Sequence, residues 1–200
     1  MTQVWYTSDL HFGHQRVAEQ RGFANAEEMD ARICSAWRSQ VAEDDTVHVL
    51  GDIAAHDHHQ ALAMLSQLPG HKHAVVGNHD DIHPMNRKTF SRTALLDWLD
   101  VFETVATFRR LELDGNELVL CHFPYAAWGD GALRDGSRYD QYRLPDVGTP
   151  LLHGHTHGPE RAHGHSLHIG WDAWHELVPQ ETVTDWLTGA DLREVSPRVA

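Results

Sequence analysis

Five short motifs rich in histidine and aspartate follow one another along this chain, each directly after a run of residues typical of a β-strand. In chain order they are Asp9-Leu10-His11, Gly51-Asp52, Gly77-Asn78-His79-Asp80, His122 and Gly154-His155-Thr156-His157. Each motif therefore belongs at the C-terminal end of a strand, which is where open α/β sheets bind ligands. This shared placement constrains the fold more than any single motif, because it predicts that residues spread over about 150 positions meet at one edge of a sheet.

The predicted strands are short, apolar and bounded by glycine, proline or aspartate. They are Val4–Thr7, Thr46–Leu50, Ala74–Val76, Leu118–Cys121, Pro150–Leu152 and Ser166–Ile169. Strands alternate with helices in the first half of the chain, whereas the second half is mostly strand and loop. The sequence thus predicts an α/β fold: a four-layer α/β/β/α sandwich of two mixed β-sheets, with the site at the C-terminal ends of strands.

Local signals define the helices and one hairpin. Asn25 followed by Glu28 indicates the start of a helix with a capping box. A second helix is predicted to begin near Asp57 and to end at Pro69-Gly70. Asp114-Gly115 predicts a tight hairpin turn.

Composition limits the classes of protein to which the chain can belong. Two hundred residues with 41% apolar content predict a single domain over residues 1–200. The apolar runs are too short to span a membrane, and the first residues do not resemble a signal peptide. The two cysteines, Cys34 and Cys121, predict a cytoplasmic protein without a disulfide framework. A net charge of −13 argues against extended nucleic-acid binding but permits a small phosphorylated substrate.

The first two motifs supply carboxylates and an imidazole. Asp9 and His11 would point to the same face of an extended strand and could hold one divalent ion. Asp52 offers two oxygens and could therefore bridge two metals. Taken alone, either motif also fits an ordinary turn at the end of a strand.

The Gly-Asn-His-Asp motif is more specific. Asn78 offers a neutral carbonyl ligand, His79 can transfer a proton, and Asp80 can hold an imidazole in one tautomer. The alternative is a turn rich in asparagine and aspartate.

The last two motifs are dominated by histidine. His122 precedes a proline that turns the chain away from the sheet, and alone it would also suit a buried or capping histidine. His155 and His157 share a face if the chain is extended. The alternative for this segment is a histidine-rich metal scavenger or a surface pH sensor.

Taken together, the motifs resemble those of the calcineurin-like metallophosphoesterase superfamily, over residues 3 to 175. The resemblance is strongest to small bacterial and phage-type members. It is carried by the five motifs in their order and by three longer segments, Thr7-Ser8-Asp9-Leu10-His11-Phe12-Gly13-His14, Cys121-His122-Phe123-Pro124 and Gly170-Trp171-Asp172-Ala173-Trp174.

The resemblance implies two metal sites and a proton donor. One divalent ion would be held by Asp9, His11, Asp52 and His157, and the other by Asp52, Asn78, His122 and His155. Asp52 would bridge the two ions, His79 would act as the acid, and Asp80 would orient His79. His14 and His153 would take supporting positions. After Asp52, however, the chain lacks the Asp-Arg pair of many family phosphatases, which argues against a phosphate clamp like theirs.

The implied chemistry is hydrolysis of small phosphodiesters, including 2′,3′-cyclic nucleotides, by a metal-bridging hydroxide, with some phosphomonoesterase activity. An oxygen and nitrogen ligand set favours Mn²⁺ and also suits Fe, Zn²⁺ or Ni²⁺. The alternatives are a dedicated phosphomonoesterase, a non-catalytic scaffold and a metal-storage protein. The intact set of motif residues weighs against the scaffold. The sequence does not predict the oligomeric state.

Three arginines between the last two motifs are candidate substrate ligands: Arg134, Arg138 and Arg143. Arginine can hold a phosphate through two parallel hydrogen bonds. The alternative is a solvated loop whose arginines pair with neighbouring aspartates, among them Asp130 and Asp140.

Overall fold

Ten short strands form two mixed sheets in the computed structural model, which describes residues 2–130 and 138–189. The first sheet has the order β10-β1-β2-β3-β4, with β1 at Val4–Thr7, β2 at Thr46–Val49, β3 at His71–Val75, β4 at Thr104–Ala106 and β10 at Val178–Pro179. The second has the order β5-β6-β7-β9-β8, with β5 at Phe108–Leu113, β6 at Asn116–Cys121, β7 at Leu151–His153, β8 at Ala162–His163 and β9 at Ser166–His168. Each sheet combines parallel and antiparallel pairs, so the predicted α/β fold with two mixed sheets is confirmed.

The helices are α1 at Gln15–Gln20, α2 at Ala26–Gln40, α3 at His58–Ser66, α4 at Arg92–Leu99, α5 at Trp171–Trp174 and α6 at Gln180–Leu187. Both predicted helix starts are confirmed, since Asn25 Oδ1 accepts from Glu28 N and Asp57 Oδ1 accepts from Gln60 N. The Glu28 carboxylate returns a bond to the N–H of Ala24, one residue before the cap. The long helix α2 buries Met29, Ile33 and Trp37 against the first sheet, because these residues recur at helical spacing on one face.

The strand predictions differ from the structure mainly at the polar ends. Strand β3 begins at His71, three residues earlier than predicted, because its register with β2 continues through a stretch that is not apolar. The predicted hairpin is confirmed between β5 and β6. Asp114 and Gly115 have φ of 51° and 78°, as a turn with two left-handed residues requires.

Side chains alternate along the second sheet between two apolar layers. Leu118 and Leu120 of β6 pack between the sheets, whereas Cys121 faces a separate cluster with Phe123 and Tyr125. The outer face is thus covered by the connection after β6, which includes a 3₁₀ turn at Asp140–Tyr142. This connection also contains Asp130 and Arg138, which border the cavity described below.

The parallel register brings the motifs together. Strands β1, β2 and β3 pair in parallel, and so do β6 and β7, so the loops after these strands leave the same edge. Main-chain bonds join the loops, from Asp9 N to Gly51 O and from His11 N to Asp52 O, each 3.0 Å long. Among the described residues, no helix combines the length and the apolar character needed to cross a membrane.

Candidate metal centre

Four of the predicted ligands converge in what we call the first cluster: Asp9, His11, Asp52 and His157. His11 Nε2 lies 3.1 Å from His157 Nε2 and 3.8 Å from Asp52 Oδ2. His157 Nε2 lies 3.7 Å from Asp9 Oδ1. Donor atoms of Asp9, His11 and His157 are all close enough to contact one cation.

The second cluster contains the other predicted ligands, Asn78, His122 and His155, together with Asp52. Asn78 Oδ1 lies 3.2 Å from His122 Nε2 and 2.8 Å from His155 Nδ1. His122 Nε2 lies 3.5 Å from Asp52 Oδ2. The same carboxylate oxygen of Asp52 therefore faces one imidazole of each cluster.

The charges in the clusters depend on one another. Burial would raise the pKa of Asp52, but His122 and His11 hold it below its ordinary value. Burial would lower the pKa of His122, but Asp52 raises it to about 9. Burial and neighbouring His122 lower the pKa of His155 to about 3, which leaves that ring neutral.

The donor set fits a divalent cation. Carboxylate oxygens and imidazole nitrogens crowd together at distances that a cation would stabilise. Burial raises the pKa of the nearby Cys121 thiol to about 11, and its side chain packs in the separate cluster with Phe123 and Tyr125. These residues suit Mn²⁺, Fe, Zn²⁺ or Ni²⁺.

Backbone strain is concentrated at the site. The described residues other than glycine with positive φ number eight, and five of them are predicted ligands: Asp9, His11, Asp52, His155 and His157. Such conformations persist when the surrounding structure imposes them, and they gather at functional sites. The pairs Asp9 and His11, and His155 and His157, were expected on extended chain; each instead reaches the site from a left-handed turn.

Two glycines allow the loops to approach one another. A Cβ on Gly77 would lie 2.3 Å from Asp52 Oδ1, and a Cβ on Gly154 would lie 2.4 Å from Asp9 Oδ2. Each distance is shorter than any real Cβ contact. Glycine is needed at both positions to bring a ligand carboxylate against the neighbouring loop.

His79 lies at the opening of the site. Its ring is 5.4 Å from the ring of His11, and its backbone N–H donates to Asp52 Oδ1. The side chain is exposed and borders the cavity described below, so a substrate can reach it.

Asp80 makes hydrogen bonds other than the predicted ones. Its carboxylate accepts from the backbone N–H groups of Gly77, Asp52 and Ile53 at 2.7–3.1 Å. Among the described residues its hydrogen bonds include none to the His79 ring. Asp80 is fully buried, and burial together with the charge of Asp52 raises its pKa to about 8. The carboxylate therefore fixes the loops after β2 and β3 to each other.

Two residues without a predicted role support His157. Asp172 Oδ2 accepts from His157 Nδ1 at 2.9 Å. Arg21 holds the same carboxylate through Nε and Nη2, at 2.9 and 2.7 Å. Burial would lower the pKa of His157, but Asp172 and Asp9 raise it. Asp172 belongs to a segment that carries the family resemblance, whereas no sequence pattern indicates a role for Arg21.

The predicted substrate arginines have different surroundings. Arg143 is fully buried and contacts Asp130, Pro124 O and Gly129 O, so it holds the connection after β6 and does not reach the cavity. Arg138 is half exposed, donates to Asp130 Oδ2 at 2.6 Å and borders the cavity. Arg134 lies outside the described residues. Arg138 and Arg143 both pair with Asp130, as the alternative interpretation states, but Arg143 is buried and not solvated, and Arg138 also borders the cavity.

Asp130 also supports the second cluster. Its Oδ1 lies 3.1 Å from His155 Nε2. His155 therefore contacts Asn78 through one ring nitrogen and Asp130 through the other.

The two extra histidines differ in their access to the site. His14 caps α1 through Nδ1, packs edge-on against His11 and borders the cavity. His153 is buried, stacks on His168 and has no hydrogen-bond partner for Nε2 among the described residues. A supporting position beside the ligands therefore fits His14, whereas His153 belongs to the packing beneath the loop.

A cavity of about 510 Å³ opens over both clusters. Cluster residues form its floor, and its walls include the charged or polar side chains of His14, Arg16, Gln20, Arg21, His79, Asp130, Arg138 and Asp172. The space is larger than a bare phosphate group requires, and it leaves room for the ester substituents of a substrate.

Comparisons with known proteins give a consistent assignment. The sequence profile described as the calcineurin-like phosphoesterase superfamily domain matches residues 3–169. The chain is 40% identical over 200 residues to the Gene 66 protein of Mycobacterium phage L5, covering 92% of this chain and 94% of that protein. It is 41% identical over 197 residues to the Gene 66 protein of phage D29, covering 92% and 96%. The crystal structure of AQ665 from Aquifex aeolicus, a protein of unknown function, superposes with a TM-score of 0.68 at 20% identity, covering 93% of this chain and 100% of that one.

Proposed function

Because this chain belongs to the calcineurin-like phosphoesterase superfamily, a group of metal-dependent hydrolases, we propose that it hydrolyses small phosphodiesters and, more slowly, phosphomonoesters. The observation that carries the proposal is Asp52 Oδ2, which faces His11 of the first cluster and His122 of the second. The first cluster would hold one divalent ion and the second cluster another, with Asp52 as the shared ligand. Two such ions supply a deprotonated water at neutral pH and neutralise charge on the phosphoryl oxygens.

The protein's own side chains position the reactants. Asp80 and the close contacts at Gly77 and Gly154 fix the ligand loops before substrate arrives, which limits reorganisation during the reaction. His79 is the proposed proton donor to the leaving alkoxide, since its ring is exposed beside the first cluster. In this proposal Asp80 acts on the loops and not on the His79 ring.

The preference for diesters is supported by the space above the clusters. A diester carries two substituents, and the cavity extends from the clusters to Arg16 and Gln20 of α1 on one side and to Arg138 on the other. We propose Arg138 as a contact for an anionic or polar part of the substrate.

A dedicated phosphomonoesterase is the second candidate, and the same arginine favours it. A monoester is a dianion, and Arg138 at the cavity wall would stabilise its extra charge. The relative rates on the two ester classes decide between these candidates.

The proposal includes Mn²⁺ as the preferred metal pair, one domain over residues 1–200 and a cytoplasmic location. The carboxylates Asp9 and Asp52 suit Mn²⁺, and the imidazoles also suit Fe, Zn²⁺ or Ni²⁺. The profile match over residues 3–169 supports the single domain. Cys34 and Cys121 are both buried as free thiols, which supports a reducing compartment.

The test uses protein stripped with a chelator and then reloaded with Mn²⁺, Fe²⁺, Zn²⁺ or Ni²⁺ in parallel. Hydrolysis of bis(p-nitrophenyl) phosphate is compared with that of p-nitrophenyl phosphate. We expect metal-dependent turnover that is faster on the diester and highest with Mn²⁺. Faster turnover of the monoester would favour the dedicated phosphomonoesterase. Bound metal without turnover of either ester would contradict both and favour a scaffold or storage protein.

A further inference from the structure

The outer nitrogen of His157 is engaged by a carboxylate. Nδ1 lies 2.9 Å from Asp172 Oδ2, while Nε2 points into the first cluster, 3.1 Å from His11 Nε2. A carboxylate oxygen accepts, so Nδ1 carries the hydrogen and Nε2 keeps its lone pair for a cation. The other imidazole of the first cluster has no such support, because His11 Nδ1 is buried without a partner among the described residues.

Arg21 fixes the position of that carboxylate. Its guanidinium forms a two-pronged bond with Asp172, and Nη2 also donates to Asp9 O at 2.6 Å. A third contact joins Nη1 to Leu10 O. The arginine directly follows α1, and Asp172 lies in α5, so the pair connects two helices to the loop that carries Asp9 and His11.

Arg21 and Asp172 both border the cavity, but the burial of Arg21 argues against a direct role in substrate binding. Its side chain is only 3% exposed, and Nε, Nη1 and Nη2 are all engaged by the protein. Asp172 is 15% exposed and carries a negative charge that would repel a phosphate. The pair is therefore placed to act through the first cluster.

We infer that Asp172 and Arg21 are positioning residues for the first metal: Asp172 fixes the orientation and tautomer of His157, and Arg21 holds Asp172 against the Asp9 loop. The inference rests on the proposed function, because it requires that the first cluster binds a metal. The inference concerns the first cluster alone; at the second cluster His122 Nδ1 is held by the backbone carbonyl of Leu50, and His155 Nε2 contacts Asp130.

The Asp172→Asn variant separates this role from general structure. An asparagine directs an amide towards either His157 or Arg21, so one of the two bonds is lost. Loss of an outer partner of a metal-bound histidine weakens metal binding by roughly 10- to 100-fold. We expect that loss for one of the two metal equivalents and a wild-type affinity for the other.

The experiment is a titration of chelator-stripped protein with Co²⁺, followed by visible absorption and by metal content after dialysis. Wild type, Asp172→Asn and Arg21→Lys are compared, with Asp185→Asn as a control for loss of an exposed carboxylate on α6. Arg21→Lys keeps the charge but cannot form the two-pronged bond, so it tests the pair if Asp172→Asn folds poorly. We expect both site variants to show one weakened equivalent and a changed absorption band, and Asp185→Asn to match wild type.

Two results would overturn the inference. One is that both site variants bind two equivalents with wild-type affinity and spectrum. The other is that they lose both equivalents together with a lower melting temperature, which would indicate a role in folding only. If wild type itself binds no Co²⁺, the inference fails together with the proposed function, whereas the first two results overturn the inference and leave the proposed function standing.

Discussion

The two clusters receive one histidine each from the same Gly-His-Thr-His motif, yet they use opposite ring nitrogens. His157 directs Nε2 into the first cluster and Nδ1 to Asp172, whereas His155 directs Nδ1 towards Asn78 and Nε2 to Asp130. In each case an aspartate held by arginine occupies the outer nitrogen. A carboxylate on the outer nitrogen leaves the inner one free to act as a ligand, so under the proposed function the carboxylate would decide which nitrogen binds the metal.

The two aspartate and arginine pairs that hold these histidines lie in different parts of the molecule. Asp172 is in α5 and its arginine follows α1, so the first cluster is supported from regular structure. Asp130 lies in the connection after β6, next to residues outside the described ranges, and its arginine Arg143 belongs to the same connection. The first cluster is therefore tied to the first sheet and its helices, and the second depends on how the connection is placed.

The largest expected effect is that of Asp52→Asn, because Asp52 is the residue that the two clusters share. Loss of the shared carboxylate should lower kcat by roughly 10³-fold or more, since two-metal stabilisation contributes several kcal/mol. Turnover of bis(p-nitrophenyl) phosphate by Mn²⁺-loaded protein measures the effect. Asp185→Asn is the matched control, and near-normal activity of Asp52→Asn would contradict the shared site.

The His79→Ala variant tests whether the leaving group departs on the side of the substrate that faces the first cluster. The His79 ring lies against His11, so a proton donated there would reach a leaving group above the first cluster. Removing a general acid costs roughly 10²-fold or more on an alkyl ester, whose leaving group needs the proton. An aryl ester should lose much less. Equal losses on methyl p-nitrophenyl phosphate and a dialkyl analogue would exclude the acid role.

The convergence of the candidate ligands could be predicted from sequence and the residues that hold them in place could not, for a physical reason. Asp9, Asp52 and Asn78 follow strands, and a parallel sheet places the ends of its strands at one edge whatever else the chain does. Arg21 and Asp172 are 151 positions apart and meet only through the packing of two helices against one loop. No local pattern marks such a pair.

Conformation at the ligands was also beyond a local prediction. An extended chain was the natural assumption for Asp9 and His11, but both have positive φ. Loop contacts impose this conformation, since His11 N donates to Asp52 O and Asp9 N to Gly51 O. Arg143 shows the same limit, because its burial depends on how the connection after β6 folds over the second sheet.

Two glycine substitutions should disturb the clusters separately. A Cβ at Gly154 meets Asp9 Oδ2 and Ser8 Oγ, next to the first cluster, while a Cβ at Gly77 meets Asp52 Oδ1 and His122 Cε1. Each alanine variant should be destabilised by about 1–3 kcal/mol, because a methyl group is forced into a packed site. We expect Gly154→Ala to weaken one metal equivalent and Gly77→Ala to weaken both, as measured by Co²⁺ titration and thermal unfolding.

The control for the glycine pair is Gly164→Ala. Gly164 has a φ of 55° and open space around it, so the substitution costs about 1 kcal/mol of backbone strain without touching the site. Its metal binding should match that of wild type. If Gly154→Ala weakened both equivalents as much as Gly77→Ala does, the two clusters could not be treated as separately supported.

The smallest expected effect concerns Arg138, on the side of the second cluster. Arg138 borders the cavity and is anchored by Asp130, which also contacts His155. If its role is to bind substrate, Arg138→Gln should raise KM by roughly tenfold and leave kcat nearly unchanged, because ground-state and transition-state binding are lost equally.

Arg110→Gln is the matched control, since Arg110 is an exposed arginine that pairs with Glu117 on the hairpin of the second sheet. A fall in kcat with an unchanged KM and a weakened metal equivalent would instead show that Arg138 acts through Asp130 on His155. Arg138 would then support the second cluster together with Arg143, both behind Asp130, and the contrast between the two clusters would reduce to which ring nitrogen each histidine presents.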